Sequence, residues 1–159
     1  MQIFSMTQKE HHLVKILTRF YSNVQDEWTV ETMWAKVIDK DKGLYKIDNI
    51  PFYASIASDD IVFAEYDDTE KMLTYKETVE YSGNSLIQVV VLDKSVETNV
   101  IREIFNSLDC QSEKGKEGYF VIEILANKDY EPVKIQLTEL QEKGIIDYAE
   151  PVLSNQHRY

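Results

Sequence analysis

The alternation of apolar and polar residues in the first half of the chain constrains the fold most. Residues 28–38 are rich in β-branched and aromatic types, and the polar stretch 40–43 leads from them into residues 44–47. Successive side chains of a strand point to opposite faces, so such segments joined by polar turns predict antiparallel hairpins. Further strands are predicted at residues 12–21, 61–66 and 72–81. The pattern favours a small antiparallel barrel or a strongly curved sheet.

The pattern changes at Ser82-Gly83-Asn84-Ser85. A nearly continuous apolar run follows at residues 86–92, as is typical of a strand covered on both faces. Ser95 is predicted to cap a helix that runs to about residue 108 and buries Val96, Val100, Ile104 and Leu108. A second helix is predicted over about residues 130–143, with Pro132 in its first turn and with Val133, Leu137 and Leu140 buried.

Three short strand predictions complete the second half, at residues 110–113, 119–125 and 145–152. The resulting order, β-α-(β)-β-α-β, is that of a ferredoxin-like split βαβ unit. The predicted fold class is therefore α+β, with a β-rich subdomain at residues 11–82 and a ferredoxin-like subdomain at residues 83–153. The polar tail, residues 154–159, is predicted to be frayed.

The net charge of the chain limits the classes of partner that are expected. Lys and Arg total 17 against 28 Asp and Glu, which gives a net charge of −11. Such a surface repels phosphate backbones, so nucleic acids and anionic membranes are not expected as partners. It attracts basic proteins and accelerates encounter with them. The alternative is an acidic surface that serves solubility alone.

Three features predict a cytoplasmic protein. Cys110 is the single cysteine, so no disulfide within the chain is expected. The first ten residues lack a basic segment followed by an apolar one, so no signal peptide is predicted, and no apolar run has the roughly 20 residues that a membrane span needs.

No motif predicts a catalytic residue, a metal ligand set or a cofactor. His11 and His12 are adjacent, and adjacent side chains of a strand point to opposite faces, so they do not share a metal. Asp39-Lys40-Asp41 resembles a metal-binding pair of carboxylates but falls in a hairpin tip, where Asp is an ordinary turn residue. Cys110 follows a helix end, where the helix dipole disfavours a thiolate.

Acidic turns are the candidate partner-binding surface. They are either a solvated edge or a docking site for Lys and Arg of a partner. The candidate residues are Asp39, Asp41, Asp59, Asp60, Asp67, Asp68 and Glu70.

One stretch carries a family resemblance. Residues 43–54 read Gly-Leu-Tyr-Lys-Ile-Asp-Asn-Ile-Pro-Phe-Tyr-Ala, and residues 31–35 read Glu-Thr-Met-Trp-Ala. Together with Ser82-Gly83-Asn84-Ser85, they resemble the motifs of a bacterial family of domains of unknown function, numbered 4265. Ser58-Asp59 stands where that family usually has Gly-Asp. The resemblance covers about residues 11–153 and implies a shared fold without supplying a reaction.

The central motif has a structural and a functional interpretation. Asp48 and Asn49 are turn formers and Pro51 prevents continuation of a strand, which favours a role in architecture. The alternative is a cleft floored by Trp34, Tyr45 and Phe52 with Asp48 and Asn49 at its mouth.

Three functions remain open at this point. The first is a non-catalytic immunity protein or antitoxin that neutralises a cognate toxin, because an acidic face can occlude a basic site. The second is a small-molecule binding or sensing module that uses the aromatic cleft. The third is an enzyme built on a pair of carboxylates.

Overall fold

The computed structural model describes residues 13–23 and 25–159, which form two compact units. The first unit holds the described residues up to Ala54 together with Ser58–Ser82. The second holds Ser55–Ala57 and Gly83–Tyr159. The prediction about His11 and His12 lies outside the described residues.

The first unit is a five-stranded, ring-like sheet. Its strands are β1 (Leu13–Ser22), β2 (Glu27–Asp39), β3 (Leu44–Ile47), β4 (Ile61–Asp67) and β5 (Met72–Glu80). Neighbours in sequence pair antiparallel, and β1 returns to β5 through a parallel pairing of Leu17 with Thr74. The prediction of an antiparallel, β-rich first half is confirmed.

Alternation gives this sheet a buried inner side. Ile16, Met33, Ile47 and Val62 are almost completely buried there, and the two sequence neighbours of Met33 are exposed. At the β2–β3 turn, Gly43 adopts a φ of +71°. A Cβ there would lie 2.8 Å from the Phe63 ring and 2.9 Å from the Ala64 carbonyl oxygen, so the turn requires glycine on both steric and conformational grounds.

The second unit is a four-stranded sheet with two helices. Its elements are β6 (Ser85–Val91), α1 (Thr98–Asn106), β7 (Gln111–Lys114), β8 (Tyr119–Ile124), α2 (Glu131–Glu142) and β9 (Ile146–Val152). The strand order is β7-β8-β6-β9, and each neighbouring pair is antiparallel. The described residues are thus mostly β with two helices, which is the predicted α+β class.

Helix α1 differs from its prediction in start and in buried face. It begins at Thr98, because the Asp93 carboxylate accepts hydrogen bonds from the Ser95 amide (3.0 Å) and hydroxyl (2.6 Å), which fixes a turn before the helix. Its buried residues are Thr98, Ile101 and Phe105, and Val100 is 55% exposed. The other predicted residues of that stripe, Val96, Ile104 and Leu108, are partly buried beside the core.

Helix α2 agrees with its prediction. Val133, Leu137 and Leu140 are buried, Pro132 lies in the first turn, and Gly144 follows the helix with a φ of +73°. Spacings of three and four residues align the three apolar side chains along one stripe. They join a core that includes Phe105 and Phe120.

The tail is folded, so the prediction of a frayed end is wrong. Residues Asn155–His157 form a 3-10 turn, and His157 is only 2% exposed. The imidazole Nδ1 lies 2.6 Å from the Ser85 hydroxyl, and Nε2 lies 3.1 and 3.0 Å from the carbonyl oxygens of Leu125 and Lys128. A buried polar ring with partners at both nitrogens holds the tail on the second unit.

Candidate functional site

Two hairpin tips bring five of the predicted carboxylates to one end of the first sheet. The Ala64 amide donates to the Gly43 carbonyl (3.0 Å), which sets the β2–β3 tip beside β4. Because β4 continues from there towards its turn with β5, both tips lie at the same end. This acidic end carries Asp39, Asp41, Asp67, Asp68 and Glu70.

Some of these carboxylates serve the turns themselves. Asp39 accepts from the Lys42 amide (3.1 Å), and Asp67 accepts from the amides of Glu70 (2.9 Å) and Thr69 (2.8 Å). The two bonds to Asp67 hold the pKa of its carboxyl below the usual value. Asp41 and Asp68 are exposed and are therefore the better-placed carboxylates for a partner.

Other charges and apolar groups share the acidic end. Lys40, Lys42 and Lys71 belong to the same two tips, so its carboxylates outnumber its lysines without excluding them. Glu70 pairs with Arg19. The exposed side chains of Ile38 and Tyr66 lie at the same end and add apolar surface.

Asp59 and Asp60 lie at the opposite end of the sheet, beside Ile47. Asp60 is 2% exposed and accepts a hydrogen bond from the Ser82 amide (2.8 Å), so the prediction that it lies on the binding surface is wrong. Asp59 is exposed in the left-handed region, with a φ of +66°. Asp59 and Asp60 are close in sequence to Asp67, Asp68 and Glu70, but strand β4 separates the two groups in space.

The predicted aromatic cleft is not formed. Trp34 points outwards and is 45% exposed, whereas Tyr45 points into the sheet and is 5% exposed. The two rings therefore lie on opposite faces and do not floor one cleft. Phe52 is half-buried and packs beside Tyr53, with ring centroids 6.4 Å apart.

The motif residues instead anchor a loop to strand β2. The Glu31 carboxylate accepts from the backbone amides of Phe52 (2.5 Å), Tyr53 (3.0 Å) and Ala54 (2.9 Å). Successive amides of this kind form an anion-binding concavity, and Glu31 fills it. Burial, together with the Glu31 charge, raises the pKa of the Tyr53 hydroxyl.

Asp48 and Asn49, the predicted mouth of the cleft, also contact strand β2. Asn49 accepts from the Trp34 amide through its side-chain oxygen (2.8 Å), and Asp48 lies 3.4 Å from the Lys36 ammonium. These contacts support the architectural interpretation of the motif. The role of Glu31 was missed because its three partners lie more than twenty residues away in sequence.

Sequence reasoning also missed a cavity of about 410 Å³ in the second unit. It lies between the start of α2 and the folded tail, and its lining includes Tyr130, Lys134, His157 and Tyr159. The Tyr130 and Tyr159 rings have centroids 6.4 Å apart. The aromatic and basic residues of the tail are of the types that line a binding site. Nothing in their spacing, however, indicated that the tail folds back onto α2.

Lys134 is the centre of the polar groups at this cavity. Its ammonium donates to the hydroxyls of Tyr148 (2.7 Å) and Tyr159 (2.8 Å) and lies 3.5 Å from the Glu150 carboxylate. Burial alone lowers the pKa of this ammonium, but the hydroxyl and carboxylate contacts outweigh it and raise the pKa. Burial and the hydrogen bond to Glu150 (2.5 Å) raise the pKa of Tyr130.

The Ser85–His157 pair and Cys110 are potentially reactive groups, but both are buried and have a structural role. Ser85 and His157 pair like a nucleophile and a base, but both are buried and the second imidazole nitrogen contacts backbone carbonyls. Burial raises the pKa of the Cys110 thiol to about 11. Within residues 13–23 and 25–159, no three His, Cys, Asp or Glu side chains are grouped to hold a metal ion. No helix of that same part of the chain has the length and apolarity to cross a bilayer.

Comparison with known proteins identifies the family. Residues 31–148 match the family described as "Domain of unknown function (DUF4265)". The chain belongs to this family. No curated protein matches the chain.

A crystal structure of a hypothetical protein from Neisseria gonorrhoeae is similar to this DUF4265 chain. The TM-score is 0.72 at 25% sequence identity, and the match covers 88% of this chain and 94% of that one. The DUF4265 match begins at Glu31, so it contains both the carboxylate and the loop amides that it holds.

Proposed function

We propose that this DUF4265 protein is a cytoplasmic, non-catalytic protein-binding protein, an immunity protein or antitoxin that neutralises a cognate bacterial toxin through the acidic end. One observation carries the proposal: two hairpin tips place their carboxylates at one end of the sheet, beside the exposed Ile38 and Tyr66. Apolar anchors within a charged rim are the usual composition of a protein-binding surface. The net charge of −11 extends the attraction of a basic partner beyond contact.

Binding kinetics with a partner purified from the source bacterium test the proposal. Asp41→Lys/Asp68→Lys reverses two exposed tip charges and leaves the turn hydrogen bonds of Asp39 and Asp67 in place. We expect association about tenfold slower at low salt, with a flatter dependence on salt, because rim charges mainly steer encounter.

A matched control separates the tip from the total charge. Glu139→Lys/Glu142→Lys makes the same change of charge on exposed residues of α2. If both double variants slow association equally, the acidic end is not the binding surface. Unchanged association in the tip variant contradicts the proposal as well.

A second candidate function is small-molecule binding in the second unit. The cavity beside α2 has a volume within the usual range for ligand sites, and aromatic rings and an ammonium converge on it. Amide chemical shifts recorded during titration with aromatic carboxylate fragments test this. Shifts confined to the start of α2 and the tail, and lost in Lys134→Met, favour it; an unchanged spectrum removes it.

The finer fold assignment is part of the proposal. The order β7-β8-β6-β9, with helices after β6 and β8, supports a ferredoxin-like second unit. The parallel pairing of β1 with β5 supports a small barrel in the first unit. Both assignments describe scaffolds that carry many functions, so neither adds to the functional argument.

A further inference from the structure

The outer side of the β1–β2 hairpin presents a second surface, distinct in composition from the acidic end. Trp28 lies opposite Tyr21 and Val30 opposite Arg19 in the strand register, with Trp34 further along the same side. All four apolar side chains are exposed, Trp28 most of all at 69%. We call this surface, defined by Tyr21, Trp28, Val30 and Trp34, the aromatic face. Both tryptophans of the chain lie on it.

Cations border the aromatic face although the chain as a whole is strongly acidic. The Lys15 ammonium lies 5.0 Å from the centroid of the Trp34 ring, and Lys36 and Lys46 lie directly opposite each other on β2 and β3. Like charges at opposed positions of neighbouring strands destabilise a sheet. The pair is therefore a place where an added anion is favourable.

The carboxylates at this surface do not balance its cations. Glu70 pairs with Arg19, and Asp48 lies 3.4 Å from Lys36. Three carboxylates, those of Glu70, Asp48 and Asp26, thus lie among four cations: Lys15, Arg19, Lys36 and Lys46. The Tyr21 hydroxyl donates to Asp26, which fixes the ring at the end of the face in an edge-on arrangement with Trp28, at a centroid distance of 5.9 Å.

We propose that the aromatic face binds an acidic segment of a protein, a partner different in chemistry from the basic one proposed for the acidic end. Rigid aromatic anchors with arginine are the residues that dominate protein interfaces, and the surplus of cations selects carboxylates around them. A protein segment is favoured over nucleic acid because it can place a few carboxylates between apolar side chains that pack on the aromatic face. Every nucleotide, in contrast, adds a phosphate that the net charge of −11 repels.

The two tryptophans report the local charge directly. Iodide and caesium quench tryptophan fluorescence on contact, and a cationic surface concentrates iodide and repels caesium. At low salt we expect iodide to quench the whole protein more strongly than caesium, and Lys15→Glu/Lys46→Glu to reverse the order. Stronger quenching of the unaltered protein by caesium overturns the proposal.

Selection from a random 12-residue peptide display library against the full-length chain tests whether the aromatic face binds acidic segments. We expect recovered peptides to be enriched in Asp, Glu and apolar residues, and to bind about tenfold or more weakly to Trp28→Ala and to Lys15→Glu/Lys46→Glu. Tyr81→Ala is the matched control, since Tyr81 is an exposed aromatic outside the face. Circular dichroism checks that each variant is folded.

Several outcomes overturn the proposal independently of the acidic end. They are the recovery of Lys- or Arg-rich peptides, of no peptide, or of peptides that bind Trp28→Ala unchanged. Binding of single-stranded oligothymidine that Trp28→Ala abolishes assigns the face to nucleic acid instead. A homodimer in sedimentation that Trp28→Ala dissociates assigns it to a second copy. None of these results depends on the toxin partner.

Discussion

Glu31 connects the two parts of the family motif through its side-chain carboxylate. It collects the amides of Phe52, Tyr53 and Ala54, so that a loop without regular structure has its backbone donors satisfied. A carboxylate is suited to this position because its two oxygens accept several bonds and a charged acceptor strengthens each one. The motif is therefore a joint between a strand and a loop.

Removing that carboxylate should destabilise the protein strongly. We expect Glu31→Ala to lower the free energy of unfolding by about 2–4 kcal/mol, because three part-buried donors lose a charged acceptor. Urea unfolding measures the change. Glu27→Ala, an exposed position on the same strand, should cost no more than about 0.5 kcal/mol. Equal effects of the two substitutions would contradict the role of Glu31.

The Cys110 thiol should be inert in the folded chain. Its pKa rises from 9.0 to about 11, mainly through burial, so at pH 8 the thiolate is roughly 100-fold less populated than in the unfolded chain. We expect Ellman's reagent to react at least that much more slowly with the native protein than with the urea-unfolded one. Comparable rates would show that the thiol is accessible and unshifted.

The same shift gives a signed dependence of stability on pH. The folded state keeps its proton up to about pH 11, whereas the unfolded thiol loses it near 9.0. The contribution of this group is therefore fully present below pH 9 and is lost as the pH rises through 11. The loss over this interval should be smaller in Cys110→Ala, which has no thiol to titrate.

At the scale of elements, local patterns predicted the pieces whose partners are near in sequence. The β2–β3 and β4–β5 hairpins and helix α2 follow from alternation, turn residues and one apolar stripe. Helix α1 was misplaced because the side chain of Asp93 takes the Ser95 amide and fixes a turn. The tail was misjudged because the partners of His157 lie in three separate segments.

The folded tail should contribute measurably to stability. We expect His157→Ala to cost about 2–4 kcal/mol, since it leaves a cavity and removes a hydrogen-bond partner from the buried Ser85 hydroxyl and from two part-buried carbonyls. Denaturant unfolding and hydrogen exchange of the tail amides measure the effect. Arg158→Ala, the exposed neighbour, should change neither. A tail that exchanges equally fast in the unaltered protein would refute the docking.

At the scale of the whole molecule, composition predicted the class and the charge but not the arrangement of the charge. The acidic residues were grouped by density in the sequence, and the sheet then separated Asp59 and Asp60 from the acidic end. The proposed cleft failed for a related reason, because it joined residues from both faces of one sheet. Residues that are close along the chain need not be close in a sheet, because a sheet distributes them over two faces and two ends.

The net charge should make stability depend on ionic strength. Self-repulsion at a net charge of −11 is screened by salt, so we expect the Tm to rise by a few degrees between about 20 and about 200 mM NaCl. Thermal unfolding followed by circular dichroism measures this. Glu139→Lys/Glu142→Lys lowers the net negative charge and should show a smaller rise. A Tm that falls with salt would show that attractive ion pairs dominate.

Gly43 determines how the acidic end can evolve. The Phe63 ring and the Ala64 carbonyl oxygen occupy the space of any Cβ, so substitution at this position forfeits the turn. Lys40, Asp41 and Lys42 are exposed, so their side chains can be exchanged while the turn is kept. Variation of the tip is thereby confined to residues 40–42, while position 43 stays glycine. A randomised library at these three positions should yield folded variants with new charge patterns, whereas including Gly43 should sharply reduce the folded fraction.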